Sequence, residues 1–486
     1  MEAFQEAVID PLSNLLYSYV LIYVLLGAGV YFTIRTRFVQ VRLFGLMLRV
    51  VGGSTDDAKD GISSFQAFAV GLASRVGTGN IAGVAVALTL GGPGAIFWMW
   101  MVALVGMATA FVEATLGQMY KVRSDDGSFR GGPAYYIQRG LGSRRWGMVF
   151  AVLLIFAFGF AFNMVQANTI SDVLGAAGGV SPAWTAVLLM IIVAPILYGG
   201  IRRIATFAGY VLPFMAGAYL LLALVVVVTN LGAVPEVFRQ IVDGAFGLDE
   251  ALAGTAGGVL AAVLNGVKRG LFSNEAGMGS APNAAATATV SHPAKQGLVQ
   301  SLGVFVDTIV VCSATAFIIL IAGPSVYQPG VTGEAAGASL TQAAVAAELG
   351  TWTTWPMTIL VFVFAFSSIL GNYSYAEGNL TFLGVRGRAL TGLRTLVLAS
   401  VGVGALATLT TAWALADVAM AFMALVNLVA IVLLGRWAIG ALKDYESMRR
   451  RGVDEQFVGV GNPNLPGDLP GDVWTPSESS TGSSSS

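Results

Sequence analysis

Arg75-Val-Gly-Thr-Gly-Asn-Ile-Ala-Gly83 and Arg269-Gly-Leu-Phe-Ser-Asn-Glu-Ala-Gly277 share one frame, R-x4-N-x-A-G, at an offset of 194 residues. Both lie inside strongly apolar stretches, where lipid demands an unbroken apolar helix and polar or helix-weakening residues need a reason. The pair reads as two copies of one broken helix. Interruptions at corresponding places in two halves of a chain point to a transporter's binding site. The competing reading is a coincidence between two Gly/Ala-rich segments, because only four positions of the frame are fixed.

Composition indicates a bilayer as the solvent. Of 486 residues, 56% are hydrophobic and 11% charged, against roughly a quarter charged in soluble domains; the mean hydropathy is +0.75. The chain is therefore expected to be an all-α polytopic membrane protein. A net charge of -1 supports no nucleic-acid role, and the single Cys312 excludes a disulfide framework within the chain. Glu2, Glu6 and Asp10 precede an apolar run long enough to span, so this start reads as a retained helix rather than a cleaved signal peptide.

Eleven candidate spans follow, near 14–34, 62–90, 95–120, 148–174, 182–200, 204–230, 251–287, 297–323, 354–383, 390–409 and 412–439. Alternate connecting segments (35–59, 121–145, 202–203, 292–295, 386–394 and 436–451) hold 22 of the 26 Lys and Arg, while the loops between them hold only Arg239. Positive charge accumulates on the cytoplasmic side, so the N-terminus is expected outside and the C-terminus inside a cell inner (plasma) membrane. Residues 1–61 then form an extra helix with a basic cytoplasmic loop, 62–230 a first five-helix repeat and 251–440 a second. An odd number of spans per half forces opposite insertion, which makes the halves an inverted repeat. Residues 452–486, with Asn-Pro, Pro-Gly and a Ser-rich end, read as a disordered cytoplasmic tail. Residues 325–351 read as an external loop with a short surface helix at 339–349.

The strings ASRVGTGNIAGVA, Gly91-Gly-Pro-Gly-Ala-Ile-Phe-Trp-Met-Trp100 and RGLFSNEAGMGSAPNAAA, with GGPAYYI at 131–137, NMVQAN at 163–168 and QGLVQSLGVFVDT at 296–308, resemble the alanine/glycine:cation symporter family over residues 60–440. The resemblance implies a sodium-coupled importer of small neutral amino acids with a leucine-transporter-like five-plus-five inverted fold and one added helix. Pro93, Phe97, Trp98 and Trp100 carry much of the likeness, yet physically they read as helix-start and packing residues.

In the first broken helix, Gly77 and Gly79 flank Thr78, and an unwound stretch there would offer free N–H and C=O groups. An amino acid's carboxylate needs donors, which a half-helix N-terminus supplies without a buried full charge. Thr78, Gly79 and Asn80 are the expected substrate contacts; the alternative is that the glycines serve close helix packing. In the second broken helix Ser273 and Asn274 are candidate substrate or ion ligands, and Glu275 is expected either to bind or to pair with Arg75 or Arg269 as an internal strut. The resemblance adds Gln166, which shares a helix face with Asn163, as a group reaching the substrate. It also implies a sodium site of backbone oxygens from Ala73, Val76 and Phe364 with the hydroxyls of Ser367 and Ser368. That neutral oxygen set suits Na+, although helical serines also commonly bond their own i−4 carbonyl.

Where the best-known alanine-binding members have a Trp after Leu-Gly, this chain has Asn372. That exchange implies room for a larger or more polar side chain, with glutamine the leading alternative to alanine or glycine; a plain helix–helix hydrogen bond is the other reading. Asp307 and Glu113 are acids within expected spans, the former a candidate for a second cation site or for proton coupling, the latter for backbone or Arg contacts. No cofactor is expected beyond Na+ as the coupling ion. The lone His292, without a metal-ligand cluster or a G-x-S-x-G elbow, gives no support to a hydrolase. A channel or nutrient sensor on the same fold remains the alternative from a different class.

Overall fold

A chain in lipid must satisfy its backbone polar groups internally, and the apolar runs accordingly become helices. The structure, a computed structural model, describes residues 5–53, 63–124, 127–199, 201–247, 258–329, 336–385, 387–453 and 455–475. The first rod, α1 (Gln5–Arg35), is followed by two short helices, α2 (Val39–Arg42) and α3 (Phe44–Gly52). The first broken rod is α4 (Ser64–Arg75) and α5 (Thr78–Gly91), leading into α6 (Gly94–Met119). A two-stranded hairpin, β1 (Val122–Arg123) and β2 (Phe129–Arg130), and the short α7 (Pro133–Gly140) precede α8 (Arg144–Gly178), α9 (Pro182–Gly199) and α10 (Ile201–Thr229). Then come α11 (Val234–Phe246), the second broken rod α12 (Gly258–Asn274) and α13 (Ala281–Ala285), and α14 (Pro293–Ile321). The chain closes with α15 (Ala338–Leu349), α16 (Thr354–Phe382), α17 (Arg388–Leu406) and α18 (Leu409–Arg451).

Among the described residues, α1, α6, α8, α14, α16, α17 and α18 are each long and apolar enough to cross a bilayer. The other expected spans correspond to the broken rods α4–α5 and α12–α13, the short α9, and α10, after which the chain bends by 79° into α11. The polypeptide is a multi-pass membrane protein.

Helix α6 lies at the centre, packed against α12 and α14, while α8 packs between α16 and α17. Contact is close because small residues admit neighbouring backbones. A Cβ on Gly404 of α17 would overlap the backbone of Met164 on α8, and one on Gly94 would overlap the backbone of Gly244 on α11. Three rods contain wider turns with i→i+5 bonding, Gln5–Ile9 and Tyr17–Leu21 in α1, Ala157–Ala161 in α8 and Phe305–Cys312 in α14, a distortion frequent at functional sites.

Two expectations are corrected. Residues 339–349 are not a surface helix: Leu340, Thr341, Ala344 and Val345 of α15 are buried, with α5 against them, because its small apolar face fits the bundle. Nor is the tail solvated throughout, since Phe457, Leu469 and Trp474 are buried. The Gly459 amide donates to Trp474 O (2.8 Å), Leu469 N–H to Gly459 O (2.9 Å), and the chain is anchored by Phe457 N–H to Ser291 O (2.9 Å) and Trp474 Nε1 to Gln118 O (3.0 Å). Three large apolar side chains spaced through a Gly/Pro-rich segment supply the burial that composition obscured. The expectation for 476–486 falls outside the described residues.

Trp474 and Phe129 close over Lys121, whose ammonium donates to Ala288 O at 2.8 Å. Burial, with Arg123 nearby, lowers its pKa to about 7. His292, in the loop before α14, is buried: its Nδ1 accepts the Ala294 N–H (3.1 Å) at the start of α14, leaving Nε2 toward Asp444 at 3.4 Å.

The Gly404 contact predicts that Gly404→Ala lowers stability by about 1–3 kcal/mol through overpacking. Thermal unfolding in detergent checks this, with Gly378→Ala as the control, because nothing lies within 4 Å of a Cβ at that position of α16. Equal melting temperatures for the two variants would refute the close approach of α17 and α8.

Candidate functional site

The break in the first rod falls at Val76 and Gly77. Val76 still donates to Leu72 O (2.7 Å), but its ψ of 95° leaves the helix, and Thr78 begins α5. A free Gly77 amide in a dry interior would be costly; Asn80 Oδ1 accepts it at 2.9 Å. Only glycine fits here for a packing reason: a Cβ on Gly77 would overlap Ser368 Oγ and would lie 3.7 Å from Gln166 Oε1. A Cβ on Gly79 would lie 3.1 Å from Phe272 and from the Ser273 backbone. The break is thus enclosed by α16, α8 and α12.

The second break comes immediately after Asn274. Glu275 (φ 57°), Gly277 (φ 88°) and Gly279 (φ 87°) occupy the left-handed region, which only glycine enters freely. Glu275 is held there by Ser74 Oγ (3.1 Å) and Ser280 Oγ (2.5 Å), both donating to its carboxylate. Glu113 accepts from Gly277 N–H (3.2 Å) and from Asn427 Nδ2 (2.9 Å), the backbone contact expected of it.

The two breaks meet. Asn80 Nδ2 donates to Asp307 Oδ1 (2.6 Å) and Ser273 Oγ (3.1 Å), and the hydroxyls of Ser273 and Thr308 donate to Asp307 Oδ2 at 2.7 and 2.8 Å. Asn274 donates to Thr308 Oγ1 (3.3 Å) and accepts from Ala276 N–H (3.0 Å). Asp307 and Thr308 lie in the wide turn of α14. The side chains of Ser273 and Asn274 are therefore engaged with that turn and with the break itself.

Three buried polar atoms beside the first break have no hydrogen-bond partner among the described residues, the donor Arg75 Nε and the oxygens Thr78 Oγ1 and Gln166 Oε1. Buried polar groups are nearly always paired, so each needs an explanation. On α16, Phe364 O accepts both Ser367 Oγ (2.9 Å) and Ser368 Oγ (3.1 Å), and a Cβ on Gly371 would lie 3.3 Å from Ser74, placing α16 directly on the end of α4. The two serine bonds are the i−3 and i−4 back-bonds that helical serines commonly make, and they leave Phe364 O and the two hydroxyls grouped on α16, with Ser368 beside the break. Ala73 lies in the last turn of α4, and Val76 in the break. No group of three His, Cys, Asp or Glu side chains suited to a metal occurs among the described residues, and the neutral oxygen set is chemistry for a hard alkali cation.

Asn372 is tied between helices. It donates to Asn163 Oδ1 (3.0 Å) and accepts from Ser74 Oγ (3.3 Å). The expected pairing of Glu275 with an arginine is corrected: Arg75 donates to Gln300 Oε1 (2.8 Å), and Arg269 pairs with Asp417 on α18 (2.5 Å). Each guanidinium finds a better-placed acceptor on a neighbouring helix.

Aromatic rings cover the site on the Arg269 side. Phe272 stacks on Phe162 with centroids 4.4 Å apart, Trp413 lies 4.5 Å from Phe272, and Arg269 sits 4.3 Å over Trp413. Sequence reasoning passed over Trp413 and Asp417. Asp417 did carry a readable signal, an acid within an expected span, whereas the aromatic cover is assembled from three helices and has no local signature.

A model of the sodium:alanine symporter family matches residues 1–459. The chain belongs to this family. It is 48% identical to the amino-acid carrier protein AlsT of Bacillus subtilis over 98% of both chains, and 45% identical to the probable sodium/glutamine symporter GlnT of the same organism over 94% of both. Its fold is similar to that of MhsT, solved with L-phenylalanine, at a TM-score of 0.54 and 15% identity, covering 80% of this chain and 93% of that one. The architecture of this symporter is the leucine-transporter-like one, and family membership makes sodium its coupling ion.

Asn80 joins both breaks, so Asn80→Ala is expected to reduce sodium-driven amino-acid uptake in proteoliposomes by about 10- to 100-fold, the loss of a hydrogen bond to a charged group. Uptake at the native rate would show that the Asn80–Asp307 link is dispensable.

Proposed function

We propose that the protein imports small neutral amino acids, alanine or glycine foremost, with the substrate zwitterion seated at the break between α4 and α5. The unpartnered Thr78 Oγ1 and Gln166 Oε1 carry this reading. The first-turn amides of α5, at Thr78 and Gly79, have no intrahelical acceptors and sit at the positive end of the helix dipole, which suits a carboxylate. Gln166 Oε1 accepts hydrogen bonds and suits the ammonium. Asn80 holds the break in shape, while Ser273 and Asn274 act through Asp307 and Thr308 to fix the second rod against the first.

Sodium is proposed to bind among Phe364 O, Ser367 Oγ, Ser368 Oγ and the backbone oxygens of Ala73 and Val76. An ion there would tie α16 to the end of α4 and stabilise the ligand-accepting form of the break, so amino-acid affinity would rise with sodium. Transport proceeds by rocking of one bundle of helices against the other, the N-terminus outside and the C-terminus in the cytoplasm. The distribution of basic residues supports that orientation. Asp307, hydrogen-bonded to residues of both breaks, is the group through which proton coupling would act.

Ser367→Ala/Ser368→Ala, which removes two hydroxyl ligands, is expected to raise the sodium concentration for half-maximal uptake by about tenfold, or about 1.4 kcal/mol of binding free energy, with the substrate ranking unchanged. Native sodium activation in that double variant would exclude the assigned cage.

A second substrate reading is favoured by Asn372. Its carboxamide, held between Asn163 and Ser74, makes one wall polar, and a relative 45% identical is named as a probable sodium/glutamine symporter. Asn372→Trp should shift competition in proteoliposomes from glutamine toward alanine. An unaltered order among alanine, glycine, serine and glutamine would remove Asn372 from the specificity pocket.

A further inference from the structure

At the far end of α1, where it meets the last turns of α18, six cationic side chains line one cavity of about 370 Å³: Arg35, Arg37, Arg42, Lys443, Arg450 and Arg451. That volume lies within the roughly 300–1,000 Å³ of small-molecule sites. Glu446 is the acid that lines the cavity with them, 2.7 Å from Arg42 and 3.8 Å from Arg450. A single carboxylate shared by two arginines leaves the cavity with a large cationic excess, and like charges held together repel unless an anion joins them.

The wall is rigidly built. Arg37 and Phe38 both adopt left-handed backbone, φ 56°, which non-glycine residues hold only when the surroundings enforce it. Phe38 N–H donates to Thr33 O (2.7 Å), while Arg42 reaches back to Arg37 O (3.2 Å) and Thr36 O (3.1 Å). This turn directs the chain from α1 into α2 and α3 and brings Arg37 and Arg42 to the same cavity. On the same turn and the two short helices that follow it, Phe38 is 55% exposed, Val41 72% and Leu48 53%. Cations beside bare apolar side chains, at the end of a membrane-crossing helix, match the boundary where headgroups meet acyl chains.

We propose that this cavity binds the phosphodiester headgroup of an anionic phospholipid. The arginines supply forked donors for the phosphate oxygens, and the acyl chains run along Phe38, Val41 and Leu48. A free phosphate ion offers the same oxygens, but it would make no use of the exposed apolar side chains on this turn and the helices after it, and these favour lipid. A lipid bound here pins α1, the helix outside the two five-helix halves, to the end of α18.

The full chain in neutral detergent is titrated with dioleoylphosphatidylglycerol, dioleoylphosphatidylcholine or inorganic phosphate, and thermal unfolding is followed. Phosphatidylglycerol should raise the melting temperature well above the level reached with phosphatidylcholine. In Arg35→Gln/Arg450→Gln, and separately in Lys443→Gln/Arg451→Gln, the phosphatidylglycerol concentration for half-maximal stabilisation should rise about 30-fold, the effect of removing two basic residues near a membrane surface. Arg144→Gln/Arg145→Gln, at the start of α8, should leave it unchanged. Equal stabilisation by the two lipids, a native response in both cavity variants, or protection by inorganic phosphate matching that of phosphatidylglycerol would overturn the assignment.

Discussion

Everything at the centre of this symporter is organised around the hydrogen bonds by which Asn80 joins two interrupted helices. Interrupting a helix in lipid frees backbone groups that water cannot reach, and each must find another partner. Asn80 meets that need twice, capping Gly77 N–H with its oxygen and directing its nitrogen to Asp307 and Ser273. Asp307 in turn gathers hydroxyls from α12 and α14. The result is a polar knot inside an apolar bundle, in which the shape of one break depends on the position of the other.

Close backbone approach makes that knot possible. Gly77 admits Ser368, Gly79 admits Phe272, and Gly371 admits Ser74, so that α16 and α12 touch the break from two sides. Any Cβ at Gly77 would displace Ser368 Oγ and disturb its bond to Phe364 O. The aromatic cover of Phe162, Phe272 and Trp413, tied down by the Arg269–Asp417 pair, then shields one side of the site. A buried ion pair of this kind adds little net stability but makes displacement of either partner costly.

The peripheral elements answer a different constraint. The segment 455–475 is held to α6 by Trp474, to the loop before α14 by Phe457, and to α18 by Asn464, which donates to Asp444 at 3.0 Å. Three separate rods are thereby linked at one end of the bundle by a strap that has almost no regular structure of its own. Its order comes from burial of Phe457, Leu469 and Trp474 rather than from local backbone preference.

What could be read from residues alone was whatever depends on local solvent and backbone chemistry. Apolar runs of spanning length revealed the rods, because lipid filters each segment independently. The duplicated R-x4-N-x-A-G frame located the breaks to within about two residues, because glycine and polar side chains inside such runs have few other uses. Gln166, Ser367 and Ser368 came through resemblance; Gln166 and Ser368 lie against Gly77, while Ser367 bonds Phe364 O. Partner choice was not legible in the same way. Arg75 with Gln300, Arg269 with Asp417, and Ser273 with Asp307 are pairings between distant segments, and several acceptors of equal chemistry competed for each donor. The sequence by itself determined where the helices had to stop; only tertiary packing decided which group would receive each freed donor, because hydrogen bonding requires about 3 Å proximity and linear spacing does not encode it.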